Sequence, residues 1–215
     1  KGEIEHKDSW GGKAAIKTGD IQWMTTGSGL VHSELPTKNF KDKGGSMEGL
    51  QIWVNLPKTN KNVKPGYQHV EKINIPEISM NNQLGKIKII AGSILNKKSL
   101  INTFSPVSIF DIQFNKPGST KLIIPHEQIL MIYIIVGKIQ IKEQNQIVHE
   151  GQMIYYDQSG DELLINSISK KGSYLVLAGK PINESIVRYG PFVANTGGEL
   201  KQSVMNYQSG KMGKL

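Results

Sequence analysis

Short apolar runs alternate with polar, turn-forming residues along most of the chain. Six runs carry the pattern of β-strands: residues 87–94, 107–114, 130–141, 153–156, 163–168 and 174–178. They are rich in Ile, Val, Tyr and Phe and are bounded by Gly, Pro, Asn or Ser, the composition that suits a pleated, half-buried surface. Gly137-Lys138 interrupts the third run and reads as a tight turn or bulge joining two strands. Turn signals about every ten residues point to a sandwich or barrel. Helical spacing is clear only near the C-terminus. Leu200, Val204 and Tyr207 recur at that spacing and predict a short helix over 198–208, after Gly197-Gly198.

Two polar, proline-containing segments break the pattern. Residues 57–66 (PKTNKNVKPG) read as a loop after the apolar run 50–56, and residues 75–85 (IPEISMNNQLG) read as a linker. The strand pattern starts afresh beyond it, which puts a domain boundary near residue 80. The expected organisation is a first domain over 1–79, a second over 80–190 and a tail over 191–215 carrying the helix. Trp23, Met24 and Trp53 are expected on strands as core residues.

Composition narrows the chemistry. Of 215 residues, 38% are hydrophobic and 20% charged, an ordinary globular balance. There are no cysteines, which excludes a disulfide scaffold, a thiolate metal site and a cysteine nucleophile. Any metal must be held through nitrogen and oxygen, by His, Asp, Glu or water. No apolar run approaches the ~20 residues of a membrane-crossing helix. The opening Lys-Gly-Glu-Ile-Glu lacks a basic-then-apolar start, so a cytoplasmic protein is expected. The net charge is +8, from 26 Lys and Arg against 18 Asp and Glu. The lysines are mostly scattered. Only Lys38, Lys41, Lys43 and Lys58, Lys61, Lys64 cluster, in loop-like sequence, so a direct nucleic-acid partner is not expected.

Unusual residues concentrate in one stretch, 19–36: GDIQWMTTGSGLVHSELP. Gly27-Ser28-Gly29 lets the backbone turn tightly beside a site. His32 and Glu34 lie two apart, so on a strand both side chains face one way, and Ser33 faces the other. Imidazole and carboxylate converging from one strand suit a non-haem divalent metal. Taken alone, the pair is a weak signal and more often describes a surface histidine beside a solvated glutamate. Gln22 and Ser33 are candidates for hydrogen bonds that orient such groups. Of the other histidines, His6 sits on a strand or hairpin near the start, where it could line the same pocket, with nothing to assign it as a ligand. His69 is expected at the surface. His126 and His149 lack further His and Glu at metal-binding spacing, and Met131, Ile132 and Tyr133 occupy the region where ligands would stand. The second domain is therefore expected to be metal-free.

The run 19–36 closely resembles the signature of the pirin family, bicupin proteins of the cupin superfamily. The likeness continues through GLQIWVNLP at 49–57, Tyr67-Gln68, AGKPI at 178–182 and YGPFVANT at 189–196. The resemblance implies an all-β fold of two cupin domains (jelly-roll-like β-barrels), the first lacking its early strands, with a short C-terminal helix. In the family the N-terminal cupin holds one metal, usually Fe(II), through three His and one Glu. His32 and Glu34 match the second pair of that set. The first pair comes from a His-Pro-His on an earlier strand, and no His-x-His occurs in this sequence. Lys1-Gly2-Glu3-Ile4 resembles residues that follow that motif, which implies that the sequence begins inside the first cupin.

Three functional readings follow from the resemblance. The first is a quercetin 2,3-dioxygenase-type oxidoreductase, in which the metal binds the 3-oxygen of a flavonol beside O₂ and Glu34 also takes the flavonol proton. The second is a regulatory protein whose iron senses redox state while the chain contacts a transcription factor or metabolic enzyme. The third is an inactive fragment with half of its metal site. His/Glu ligation suits Fe(II) and also manganese, nickel, copper, cobalt or zinc. No membrane partner is implied.

Overall fold

The computed structural model describes residues 1–142, 144–157 and 160–215. Contacts divide the chain into two compact units: Lys1–Asn74 together with Ile182–Leu215, and Ile75–Pro181.

The first unit begins with β1 (Ile4–Asp8), β2 (Lys13–Ile16), β3 (Ile21–Thr25), β4 (His32–Pro36), a single helical turn α1 (Lys38–Lys43) and β5 (Gly66–Val70). Strand β1 is central, antiparallel to β2 on one side and to β4 on the other. Its register sets His6 opposite Glu34 and Asp8 opposite His32. Alternate residues of a strand face the same way, so all four side chains share one face of this sheet. Strands β3 and β5 form a separate antiparallel ribbon, with Gln22 opposite His69 and Met24 opposite Tyr67.

Asp20 ties the two strands together at one end of that ribbon, where β3 begins and β5 ends. Its carboxylate accepts the backbone N–H groups of Lys17 and Lys72, each at 2.9 Å, and lies 3.1 Å from His69 Nε2. His69 is thus half-buried against Asp20 on β5, not at the surface where the sequence puts it. Two further expectations give way here. The lysines at 38–43 lie on α1 because Thr37 caps it, its hydroxyl accepting the Phe40 N–H at 3.2 Å. Trp53 is 65% exposed and stands on no strand. Residues 50–56 alternate like a strand, but no ladder partner meets them among the described residues, and an apolar side chain buries only against a facing surface.

The second unit holds β6 (Glu77–Ser79), β7 (Gly85–Ala91), β8 (Ser93–Ile94), β9 (Lys97–Lys98), β10 (Val107–Phe114), β11 (Gly118–Ile123), β12 (Ile129–Val136), β13 (Lys138–Ile141), β14 (Gln146–His149), β15 (Met153–Tyr156), β16 (Glu162–Ser167) and β17 (Gly172–Gly179). A six-stranded sheet runs β15-β12-β17-β10-β7-β6, and a four-stranded sheet runs β11-β16-β13-β14. Ile89, Phe110, Ile112, Ile132, Ile134, Ile165 and Val176 fill the core. The chain changes sheet at Gly137, whose φ of +89° is a left-handed conformation that glycine adopts freely. The two strands flanking it therefore pair with different neighbours, not with each other. The hydroxyl of buried Tyr174, on β17, donates to the Lys138 carbonyl at 2.9 Å and lies 2.7 Å from Ser167 Oγ. One phenol thereby links the six-stranded sheet to two strands of the other.

The chain then returns to the first unit as β18 (Val187–Tyr189), β19 (Phe192–Ala194) and α2 (Gly197–Gln208). A capping box starts α2: the Thr196 hydroxyl accepts the Glu199 N–H at 3.2 Å, and the Glu199 carboxylate accepts the Thr196 N–H at 2.9 Å. Among the described residues, no helix is long and apolar enough to cross a membrane.

Two outcomes are expected. Ile134→Ala empties a fully buried position and should lower the unfolding free energy by about 2–5 kcal/mol in a denaturant titration. Asp20 behaves differently with pH. Burial alone would raise its pKa, but the N–H groups of Lys17 and Lys72 and the His69 ring outweigh burial and hold it below the usual value. A lowered folded pKa stabilises the fold above the unfolded value of about 4, and the gain is lost as pH falls through the folded pKa. Asp20→Asn should therefore melt lower than the parent at pH 7, and the gap should narrow in thermal melts taken at successively more acidic pH.

Candidate metal centre

Three donors converge on the shared face of β1 and β4. Among the described residues, the ligand atoms of His6, His32 and Glu34 form the one such group, all within 4.8 Å of one another. Glu34 Oε1 lies 3.8 Å from His6 Nδ1 and 3.9 Å from His32 Nδ1. Both imidazole nitrogens are buried and have no hydrogen-bond partner. The turn that delivers β4 depends on Gly27, at φ +48°, where a Cβ would run into the Val63 carbonyl oxygen.

The surroundings set the state of these groups. His6 is 0% exposed, and its Nε2 lies 3.1 Å from Asp8 Oδ2. The other Asp8 oxygen accepts the backbone N–H groups of Trp10 at 2.8 Å and Gly12 at 3.0 Å. Burial works against ionising Asp8, but the His6, Gly12 and Trp10 hydrogen bonds prevail and hold its carboxyl below the ordinary range. An ionised Asp8 can only accept a hydrogen bond, so the contact sets the ring proton on Nε2 and leaves the lone pair of a neutral imidazole on Nδ1. That lone pair faces the Glu34 carboxylate with no donor between them. A buried nitrogen lone pair set 3.8 Å from a carboxylate oxygen is stabilised by a cation or proton between the two.

The β3–β5 ribbon closes over the same point. Gln22 Nε2 donates to Glu34 Oε1, and the Tyr67 hydroxyl donates to Gln22 Oε1 at 3.1 Å. The Tyr67 ring stacks on His6 with centroids 4.3 Å apart and planes 15° from parallel. Burial first, and then the charges of Glu34, Asp8 and Asp20, push the Tyr67 hydroxyl up to about 12, so it remains a donor across the neutral range.

His32, Glu34 and Gln22, the residues singled out in the sequence, thus meet at one point. Ser33 pairs with Lys7 and lies on the opposite face. Trp23 and Met24 are half-buried on β3. His126 is exposed against Asp161, and His149 is exposed on β14. His6 is the residue that the sequence left unassigned. Its spacing from Asp8 offered a signal, since a His-x-Asp strand laid against His32-x-Glu34 gathers all four groups, but the pairing of β1 with β4 is long-range. Two imidazole nitrogens and one carboxylate oxygen form a donor set suited to a divalent transition metal, and they leave coordination positions open.

Comparison with known proteins agrees with this architecture. The family model described as Pirin matches residues 1–54, and that described as Pirin C-terminal cupin domain matches residues 109–213. A pirin-like protein of Solanum lycopersicum is 35% identical over 215 residues, covering 99% of this chain and 71% of that protein. Pirin-1 of Arabidopsis thaliana is 35% identical over 217 residues, covering 99% and 72%. The crystal structure of a quercetin 2,3-dioxygenase from Acinetobacter baumannii matches with a TM-score of 0.94 and 34% identity, over 100% of this chain and 74% of that one. The expected all-β fold of two cupin domains with a short C-terminal helix holds, and the chain belongs to the pirin family.

Proposed function

We propose that His32 and Glu34, with His6 as a third donor, hold a divalent transition metal, Fe(II) first among the candidates, in a quercetin 2,3-dioxygenase-type oxidoreductase. One observation carries this reading: two buried imidazole nitrogens without partners face a single carboxylate oxygen. The likeness to a quercetin 2,3-dioxygenase at 34% identity supports the choice of chemistry.

The bound metal would supply a Lewis acid that gathers a flavonol oxygen and O₂ at one point. The chain's own residues do the rest. His6 and His32 offer neutral nitrogen donors, and Asp8 keeps the His6 proton on the far side of the ring. Glu34 turns one oxygen to the donor cluster, and its second oxygen would accept the proton of the flavonol 3-hydroxyl. The stacked rings of His6 and Tyr67 give that side of the cluster an apolar wall that keeps water out. A flavonol is the substrate class that fits this reading. The regulatory reading uses the same donors and draws no separate support from the geometry.

Anaerobic loading with Fe(II), elemental analysis and quercetin absorbance test the proposal together. One metal per chain is expected, with loss of the quercetin band on admitting air. His32→Ala and Glu34→Ala should abolish both. His6→Gln should weaken metal binding by at least about 10–100-fold, the range for losing a partner just outside a ligand set. A chain that takes up no metal would overturn the site, and a metal-loaded chain that leaves quercetin intact would overturn the dioxygenase assignment alone.

A further inference from the structure

Glu34 is gripped from the facing ribbon as well as carried by its own strand. Gln22 donates to Glu34 Oε1, and Tyr67 donates to Gln22 Oε1 at 3.1 Å. Tyr67 is itself placed by its stacking on His6. The two ends of a primary amide have nearly the same shape, so packing does not decide which way it points, and hydrogen bonding does. A hydroxyl donor at one end fixes the amide oxygen there and turns the N–H end toward Glu34. The chain of bonds is therefore directional, from phenol O–H to amide oxygen and from amide N–H to carboxylate oxygen. Reversing the amide would set its oxygen against the carboxylate.

The gripped oxygen is the one that faces His6 Nδ1 and His32 Nδ1. The terminal torsion of a glutamate is broad and nearly two-fold, so a free carboxylate presents either oxygen, or both, to a cation. A donor held on Oε1 removes that freedom. We propose that Gln22, oriented by Tyr67, is a positioning residue that fixes Glu34 as a one-oxygen metal donor and keeps its second oxygen out of the metal contact. This rests on the metal reading above and adds the device that sets ligand geometry. Neither Gln22 nor Tyr67 touches the ion; both act through Glu34.

Co(II) is a suitable probe, because its visible spectrum reports the number and arrangement of its ligands. The full chain is titrated with Co(II) beside Gln22→Leu, Tyr67→Phe and the double variant. Gln22→Leu keeps the volume and removes the donor. It should weaken Co(II) by about 10–100-fold and shift the visible bands. Tyr67→Phe keeps the ring on His6 and should cause a smaller loss with the same direction of band shift. The double variant should bind no more weakly than Gln22→Leu, because Tyr67 acts only through Gln22. Wild-type affinity and spectrum in Gln22→Leu, or losses that add in the double variant, would overturn the proposal. Should Gln22→Leu fail to fold, Tyr67→Phe decides the matter, and an unaltered Co(II) spectrum overturns it. A parent chain that binds no Co(II) would remove the metal reading instead. The grip on Glu34 is then read from the Gln22 side-chain amide signals in NMR of the metal-free chain. Signals that move in both Tyr67→Phe and Glu34→Ala sustain it, and signals indifferent to either refute it.

Discussion

The register between β1 and β4 is the constraint on which the first unit depends. It sets His6 opposite Glu34 and Asp8 opposite His32, so four polar groups meet on one face. A slip of one residue would turn one strand's pair to the far side and set Ser33 or Lys7 in its place. Ser9 and Val31 oppose such a slip at the end of the ladder: the Ser9 N–H donates to the Val31 carbonyl at 2.8 Å, and the Val31 N–H donates to Ser9 Oγ at 3.0 Å. Asp8 holds the turn after β1 through the N–H groups of Trp10 and Gly12, and the same carboxylate reaches the His6 ring. Turn and ring orientation are thus fixed by a single buried side chain. The ribbon of β3 and β5 adds the other wall, and Asp20 ties its two strands at one end.

The two units fill their interiors by different chemistry. In the second unit the inward positions are Ile, Phe, Val and a single Tyr whose hydroxyl is satisfied by Lys138 and Ser167. Burial of apolar surface stabilises such a core without directional demands. In the first unit the inward positions of β1 and β4 are His, Asp, His and Glu. Each costs free energy to bury, and each must be matched by a donor, an acceptor or a cation. Asp8 is matched by the Trp10 and Gly12 N–H groups, and one Glu34 oxygen by the Gln22 amide. The two Nδ1 atoms are not, and that imbalance is the physical content of the candidate metal centre.

The second unit was the more legible in the sequence. Strands such as Val107–Phe114 and Met153–Tyr156 lie where the apolar runs predict them, because burial on the inner face makes the pattern strong. Strands β1, β2 and β5 are short, polar and half-buried, and their pattern is correspondingly faint. Trp53 misled for the opposite reason, since residues 50–56 have a strand's alternation and no strand to pair with. In the site, His32, Glu34 and Gln22 were readable because alternation on a strand, and one signature stretch, place them. His6 and Tyr67 join them only through pairings between distant strands, which composition and spacing do not encode. His69, expected at the surface, is the partner of Asp20 by the same kind of long-range pairing.

The change of sheet at Gly137 reaches beyond geometry. The six-stranded sheet draws on β6, β7, β10, β12, β15 and β17, and the four-stranded sheet on β11, β13, β14 and β16. Neither sheet comes from a contiguous piece of chain, so neither can be completed while the other is absent. Closing these long loops costs entropy before the contacts that repay it exist. Completion of either sheet therefore depends on contacts between strands far apart in sequence. Early strands such as β6, β7 and β10 have ladder partners among themselves, but the two halves of the six-stranded sheet join only through β17, which pairs with both β10 and β12.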